Sequence, residues 1–320
     1  MKILITGFTG FVSKHFLDLL NTAEPGAEVL GIDKNFPSFD LGAYPGLIIN
    51  FRNIDLLNKK EVEAALLEFK PSHILHLASV SSVALSWQTP FDSFVNNTNI
   101  FLNLAEQVRV SNMDCRILSI GSSEEYGEVS EDRLPLTEEH VLKPLSPYAV
   151  ARVSQEMLSK IYADGFGLDI VITRSFNHIG PGQKENFVIS SFAKQLVELS
   201  KKKSQSNTIT TGNLSIIRDF LDVRDVVKAY YALFQKGKKG EVYNICSGNG
   251  IMLKDIILKM CDILKINITI ETAPTLIRPN ENKQVVGSFK KIQADIGWKP
   301  MISLEQSLTD ILGYWNEKIS

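Results

Sequence analysis

The chain has 320 residues, more than one hydrophobic core usually serves, so two domains are expected. A net charge of −2 and a pI of about 6.2 leave no basic surface for nucleic acid, and Lys201 to Lys203 reads as a solvated helix end. Three cysteines without a CxxC pair argue against a disulfide scaffold or a sulfur-rich metal site, and no metal is expected. No apolar run approaches the roughly 18 residues of a membrane span. The N-terminal MKILITG enters a strand at once and lacks the apolar region of a signal peptide. A soluble, cytoplasmic protein with neither nucleic-acid nor membrane partners is predicted.

In chain order, a short apolar strand over Lys2–Thr6 ends at a glycine and leads into a helix over Phe11–Leu20. Strands follow at Glu28–Asp33 and Leu47–Phe51, then a charged helix over Asn58–Phe69 and a strand over His73–Ala78. One long helix is expected over Asp92–Arg109, a strand over Arg116–Ile120, a helix starting near Pro147 and a strand over Asp169–Thr173. This alternation predicts an α/β fold: a mostly parallel sheet with helices on both faces. Past Asn177 the pattern changes. The turn-rich NHIGPGQ, a helix over Phe187–Leu199, a strand over Val242–Cys246 and the small elements of 251–320 read as a smaller second domain. The expected division is 1–177 with 223–240 for the sheet domain and 178–222 with 241–320 for the smaller, discontinuous one.

The stretch TGFTGFVS, Thr6 to Ser13, lies between the first strand and the first helix. That is the setting of a Rossmann dinucleotide fingerprint, in which glycines permit a tight turn and let a pyrophosphate approach the helix N-terminus. Gly7 and Gly10 fill the first two glycine positions, while Ser13 stands at the third. Asp33, at the end of the second strand, suits the adenine-ribose hydroxyls and would repel a 2′-phosphate. NAD(H) is therefore favoured, with NADP(H) possible because Lys34 is adjacent. Asp55 after the third strand suits an adenine edge or a helix cap.

ILSIGSSEEYG carries Ser122, Ser123 and Glu124 off the fifth strand, at the edge where open α/β sheets bind ligands. Tyr148 and Arg152 are four residues apart, on one helix face. Reducing a carbonyl needs a proton for the developing alkoxide. A phenol with a pKa of about 10 becomes a better match when a cation favours its ionised form, and a hydroxyl such as that of Ser122 can hydrogen-bond the same oxygen.

With TGFTGFV, DCRILSIGSSEEYG, SPYAVAR, RSFNHIGPGQ, FAKQLV, RDFLDVRDVVKAY, VYNICSG and IGWKP in place, the chain resembles the extended short-chain dehydrogenase/reductases that act on nucleotide sugars. It is most similar to the GDP-6-deoxy-D-mannose reductases. The resemblance implies NAD(P)H-dependent reduction of GDP-4-keto-6-deoxy-D-mannose to GDP-6-deoxy-D-mannose, which is GDP-D-rhamnose. It also implies a GDP-linked sugar as substrate partner and a homodimer through a four-helix interface formed by the helices near 92–109 and 147–163. The implied catalytic residues are Ser122, Tyr148, Arg152 and Glu124. The implied cofactor-binding set is Gly7, Phe8, Thr9, Gly10, Phe11, Val12, Asp33, Lys34, Asp55, Leu56, Leu77, Ala78, Ser79, Asn97, Tyr148 and Arg152. The implied substrate-binding set is Ser81, Ser82, Ser122, Ser123, Asn177, Phe187, Val188, Lys194, Arg218 and Arg278, the two arginines holding the diphosphate.

Arg152 departs from the family pattern, which has lysine there. Arginine keeps the charge but is longer, broader and forked. Two outcomes stay open: an active enzyme with an adjusted pocket, or an impaired relative that still binds both nucleotides. The same scaffold also serves 4-epimerases and 4,6-dehydratases that retain NAD. In the dehydratases a glutamate at the position of Glu124 removes the sugar C5 proton.

Overall fold

In the computed structural model, residues 1–201, 207–276 and 282–319 are described. Lys202, Lys203 and Arg278 lie outside them. The elements run β1 Lys2–Thr6, α1 Phe11–Ala23, β2 Glu28–Asp33, β3 Ile48–Asn53, α2 Lys59–Phe69, β4 His73–His76, α3 Val83–Gln88 and α4 Pro90–Phe94. A π-helical turn over Val95–Asn99 leads into α5 Ile100–Val110, β5 Arg116–Ser122, α6 Pro147–Asp164, β6 Asp169–Ser175 and β7 Asn177–Ile179. Then come α7 Val188–Lys201, β8 Thr208–Thr211, β9 Ile217–Asp222, α8 Val223–Lys236, β10 Val242–Ile245 and β11 Gly250–Met252. The chain ends with α9 Leu253–Leu264, β12 Thr269–Thr272, β13 Gln284–Val285, α10 Lys290–Ile296 and α11 Leu304–Lys318.

Seven strands form one parallel sheet in the order β10-β6-β5-β4-β1-β2-β3. Strand order reverses between β1 and β4, which opens a crevice at their C-terminal ends. The central strands are buried on both faces: Ile3, Leu4 and Ile5 of β1 and Ile170, Val171 and Ile172 of β6 are all enclosed. One face carries α1 and α8 through Phe16, Leu20, Val226 and Leu233. The other carries α2, α5 and α6 through Leu66, Leu104, Val108 and Ala163.

A smaller lobe packs α7, α9 and α11 around Phe192, Leu196, Ile256, Met260 and Trp315. Its strands are β11, β9, β13 and β7, with β12 and β8 as a separate pair.

The structure revises three expectations. The strand after residue 240 belongs to the large sheet, where Val242–Ile245 pairs with β6, so the chain returns to the smaller lobe after Ile245 and not at 241. Ile292 and Trp298 also pack into the core of the large sheet. The helix expected over Asp92–Arg109 is interrupted by the π turn. Its Asn97 side chain accepts from Val80 N at 3.0 Å and donates to Ser93 O at 2.6 Å.

Candidate active site

A cleft of about 890 Å³ runs from the glycine turn across the ends of β4 and β5 into the smaller lobe. Gly7 adopts a φ of 67°, and a Cβ there would come 2.8 Å from Ala78 N, so the turn is closed to other residues. Gly10 caps α1 without a side-chain hydrogen bond, leaving the first-turn N–H groups facing the cleft. Asp33 Oδ2 accepts from Thr9 N at 3.1 Å and Thr9 Oγ1 at 2.8 Å, which fixes the carboxylate at the cleft edge beside Lys34. These features fit a dinucleotide: a side-chain-free turn, an uncapped helix end and an acid at the end of β2.

The reactive end is built by α6. Pro147 opens it, and Ser146 Oγ accepts from Ala149 N at 3.1 Å. That cap places Tyr148 in the first turn and Arg152 one turn on, with 6% and 4% exposure. Arg152 Nε donates to Tyr148 Oη at 3.2 Å. Arg152 Nη1 donates to Ile120 O at 3.0 Å and to Gln155 Oε1 at 2.7 Å. Gln155 is itself held, since its Nε2 donates to Ser119 Oγ at 2.9 Å and Ile120 O at 3.1 Å. The guanidinium is thus a fixed positive charge touching the phenol. Burial and this charge push His76 down to about 3, so that ring is neutral beneath the site. Ser122, at the end of β5, lines the same cleft and accepts from Glu124 N at 3.2 Å.

Most of the residues singled out from sequence line this cleft. Gly7, Thr9, Gly10, Phe11, Val12, Asp33, Lys34, Asp55, Leu56, Leu77, Ala78 and Ser79 stand on the sheet side. Ser81, Ser82, Ser123 and Glu124, which follow β4 and β5, line the cleft as well, as do Asn177, Phe187, Val188 and Arg218. Three residues do not line it. Phe8 is wholly buried, its ring under Gly31, because the turn directs it into the core. Asn97 is wholly buried and holds the Val80 loop from below. Lys194 is drawn aside into an ion pair with Glu185. Gln155, three residues after Arg152, is not among the residues expected from sequence, and that spacing is its one signal there. Tyr230 is not among them either, although it lines the cleft and hydrogen-bonds Ser175 at 2.7 Å. His178 lines the cleft with its ring stacked on Phe11 at 6.3 Å, and burial lowers its pKa. Among the described residues no group of three His, Cys, Asp or Glu side chains could hold a metal. No helix among them is long and apolar enough to cross a membrane.

A parallel sheet with this turn at its switch point, and a tyrosine–cation pair on the helix beside β5, define an extended short-chain dehydrogenase/reductase. The family model for GDP-mannose 4,6 dehydratase matches residues 4–311, and the chain belongs to that family. It is 32% identical over 318 residues to GDP-6-deoxy-D-mannose reductase of Pseudomonas aeruginosa, covering 99% of this chain and 98% of that one. It is 28% identical over 298 residues to GDP-6-deoxy-D-talose 4-dehydrogenase of Aggregatibacter actinomycetemcomitans, covering 93% and 92%. Among solved structures, RMD from Pseudomonas aeruginosa complexed with NADPH aligns with a TM-score of 0.86 at 32% identity over 99% of both chains. UDP-glucose 4-epimerase of Thermotoga maritima with UDP-glucose aligns at 0.88 and 25% identity over the whole of both.

Proposed function

We propose that the protein is an NAD(P)H-dependent oxidoreductase that reduces the C4 ketone of GDP-4-keto-6-deoxy-D-mannose to give GDP-6-deoxy-D-mannose. The observation that carries this reading is the Arg152–Tyr148 contact, held by Gln155 and Ile120 in the cleft that Ser122 also lines. The similarity to GDP-6-deoxy-D-mannose reductase over nearly the whole chain supports the substrate. Residues Gly7, Thr9 to Val12, Asp33 and Arg152 would hold the dinucleotide, which when bound supplies the hydride. Tyr148 donates its hydroxyl proton to the C4 oxygen. Ser122 Oγ hydrogen-bonds that oxygen as its charge grows. Arg152 steadies the phenolate left behind. Arg218 on β9, with Arg278, takes the diphosphate.

NAD(H) is the favoured cofactor on the strength of Asp33, with NADP(H) as the second. Isothermal titration of the two reduced cofactors decides this, and tighter NADPH binding would reverse the order. For turnover, the purified protein is given GDP-4-keto-6-deoxy-mannose with NADH or NADPH, and products are resolved by NMR. Stoichiometric cofactor oxidation with one reduced sugar is the expected result. An altered sugar without cofactor oxidation indicates a 4-epimerase. Glu124 supports a second reading, since it lines the cleft two residues after Ser122. Formation of a keto sugar from GDP-mannose would establish that dehydratase.

We also propose a homodimer. Leu104 and Val108 are buried in the chain's own core, but Leu85, Trp87, Phe91, Val150, Met157 and Ile161 are exposed on α3, α4 and α6. A monomer by light scattering at micromolar protein would contradict this. Buried free thiols at Cys115, Cys246 and Cys261 go with a reducing, cytoplasmic setting.

A further inference from the structure

Glu125 is wholly buried behind Ser122 and has no part in the chemistry above. Its Oε1 accepts from Ser122 N at 2.6 Å, completing a capping box around the turn that follows β5. A Cβ on Gly121 would come 2.4 Å from that oxygen, so the carboxyl fills the space glycine leaves. A capping box needs only one carboxyl oxygen. Oε2 is equally enclosed and meets no N–H or hydroxyl donor. The charge it meets is that of the Glu156 carboxylate on α6.

A carboxylate buried with one backbone donor and a second oxygen that has none is costly unless it carries a proton. The surrounding charges say where the proton resides. Both oxygens of Glu156 are taken by Arg174 of β6, from Nε at 2.8 Å and Nη2 at 2.7 Å. Arg174 also lies 4.8 Å from the Tyr126 ring centroid and donates from Nη1 to Glu138 O at 3.0 Å. Lys160, one turn along α6, acts on Glu156 more weakly. One buried guanidinium balances one carboxylate, and that is Glu156. Burial, then the charge on Glu156, hold Glu125 well above the usual carboxylate range. Burial opposes ionisation of Glu156 too, but the bidentate Arg174 outweighs it and holds that acid low.

We propose that Glu125 is a positioning residue that carries a proton: the Glu125–Glu156 pair holds one hydrogen, and the neutral Glu125 carboxyl clamps the Ser122 backbone so that its hydroxyl is presented to the substrate oxygen. The role assigned to Ser122 comes from the proposed function, whereas the proton does not depend on it.

The test therefore has one arm without substrate and one with it. Infrared spectra of the wild type and Glu125→Gln are compared at neutral pH. A carboxylic-acid carbonyl band present in the wild type and lost in Glu125→Gln is expected. Its absence from the wild type, or its persistence in the variant, overturns the proposal. Glutamine can accept from Ser122 N and donate to Glu156, whereas Glu125→Leu can do neither. Exchange of the Ser122 amide proton should accelerate in Glu125→Leu and stay slow in Glu125→Gln. On the keto sugar, Glu125→Leu should lose about 10- to 100-fold in kcat at unchanged cofactor affinity, with glutamine restoring most of it. Equal exchange and equal kcat in the two variants would overturn the clamp. If the wild type does not turn over this sugar, the proposed function fails, and the band and the amide exchange still decide the proposal.

Discussion

The glycine turn after β1 and helix α6 each depart from the expected family pattern at one position, and the structure absorbs the two departures differently. Ser13 stands where a third glycine is usual. It is wholly buried in α1, and its hydroxyl has no hydrogen-bond partner among the described residues. Arg152 stands where lysine is usual, and it is surrounded by acceptors: Tyr148 Oη, Ile120 O and Gln155 Oε1. The first substitution leaves a buried hydroxyl without a partner. The second is built into a network that extends through Gln155 to Ser119 and Ser159. A buried polar atom without a partner is a local cost, whereas a buried cation with three partners is a constraint on its neighbours.

That contrast can be broken experimentally, starting with the largest effect. Tyr148→Phe removes only the hydroxyl and is expected to lower kcat by about 100- to 10,000-fold with the cofactor still bound, as followed by turnover and cofactor titration. Unchanged turnover would take Tyr148 out of the chemistry. Glu156→Leu leaves Arg174 buried without its carboxylate, and a loss of about 3–5 kcal/mol is expected in denaturant unfolding. Gln155→Leu removes one of Arg152's acceptors, so a loss of about 1–3 kcal/mol is expected, with turnover falling in parallel. Ser13→Ala has the smallest expected effect, a gain of up to about 1 kcal/mol in unfolding free energy at unchanged cofactor affinity. Weakened cofactor binding would instead make the Ser13 hydroxyl a phosphate ligand.

A pH effect sharpens the picture of the acids behind Ser122. Because the folded state raises the pKa of Glu125, its protonated form stabilises the fold fully below the ordinary carboxylate range. That stability is lost as pH rises toward the raised value. Glu125→Gln carries no such proton, so its Tm relative to the wild type should climb with pH. A constant difference would mean that Glu125 does not hold its proton in the fold.

Much of this was legible in local sequence. The strand–glycine–helix order of Lys2–Ala23 follows from short-range apolar spacing and a turn that only glycine satisfies at position 7. The start of α6 follows from Ser146 and Pro147. What stayed hidden depends on partners distant in sequence. Val242–Ile245 reads as a strand, but only its pairing with Ile172–Ser175 reveals which sheet it joins. Nothing in the apolar period of 90–110 announces the π turn, which places Asn97 under the Val80 loop. Lys194 enters the substrate set through the resemblance alone, which does not show its ion pair with Glu185, nine residues earlier in the loop before α7. Arg152 read as an ambiguous departure because the Ile120 carbonyl that holds it cannot be seen in side-chain identities.

A pocket fitted to arginine should work less well with lysine. The most direct test is turnover of the wild type, Arg152→Lys, Gln155→Leu and the double variant on GDP-4-keto-6-deoxy-mannose. A lysine ammonium cannot span the phenol, the Ile120 carbonyl and Gln155 as a fork does. Arg152→Lys is expected to lower kcat about 10-fold or more, with the loss from Gln155→Leu largely absorbed in the double variant. An Arg152→Lys protein that matches or exceeds the wild type would mean the opposite, that arginine is a handicap in a pocket still shaped for lysine.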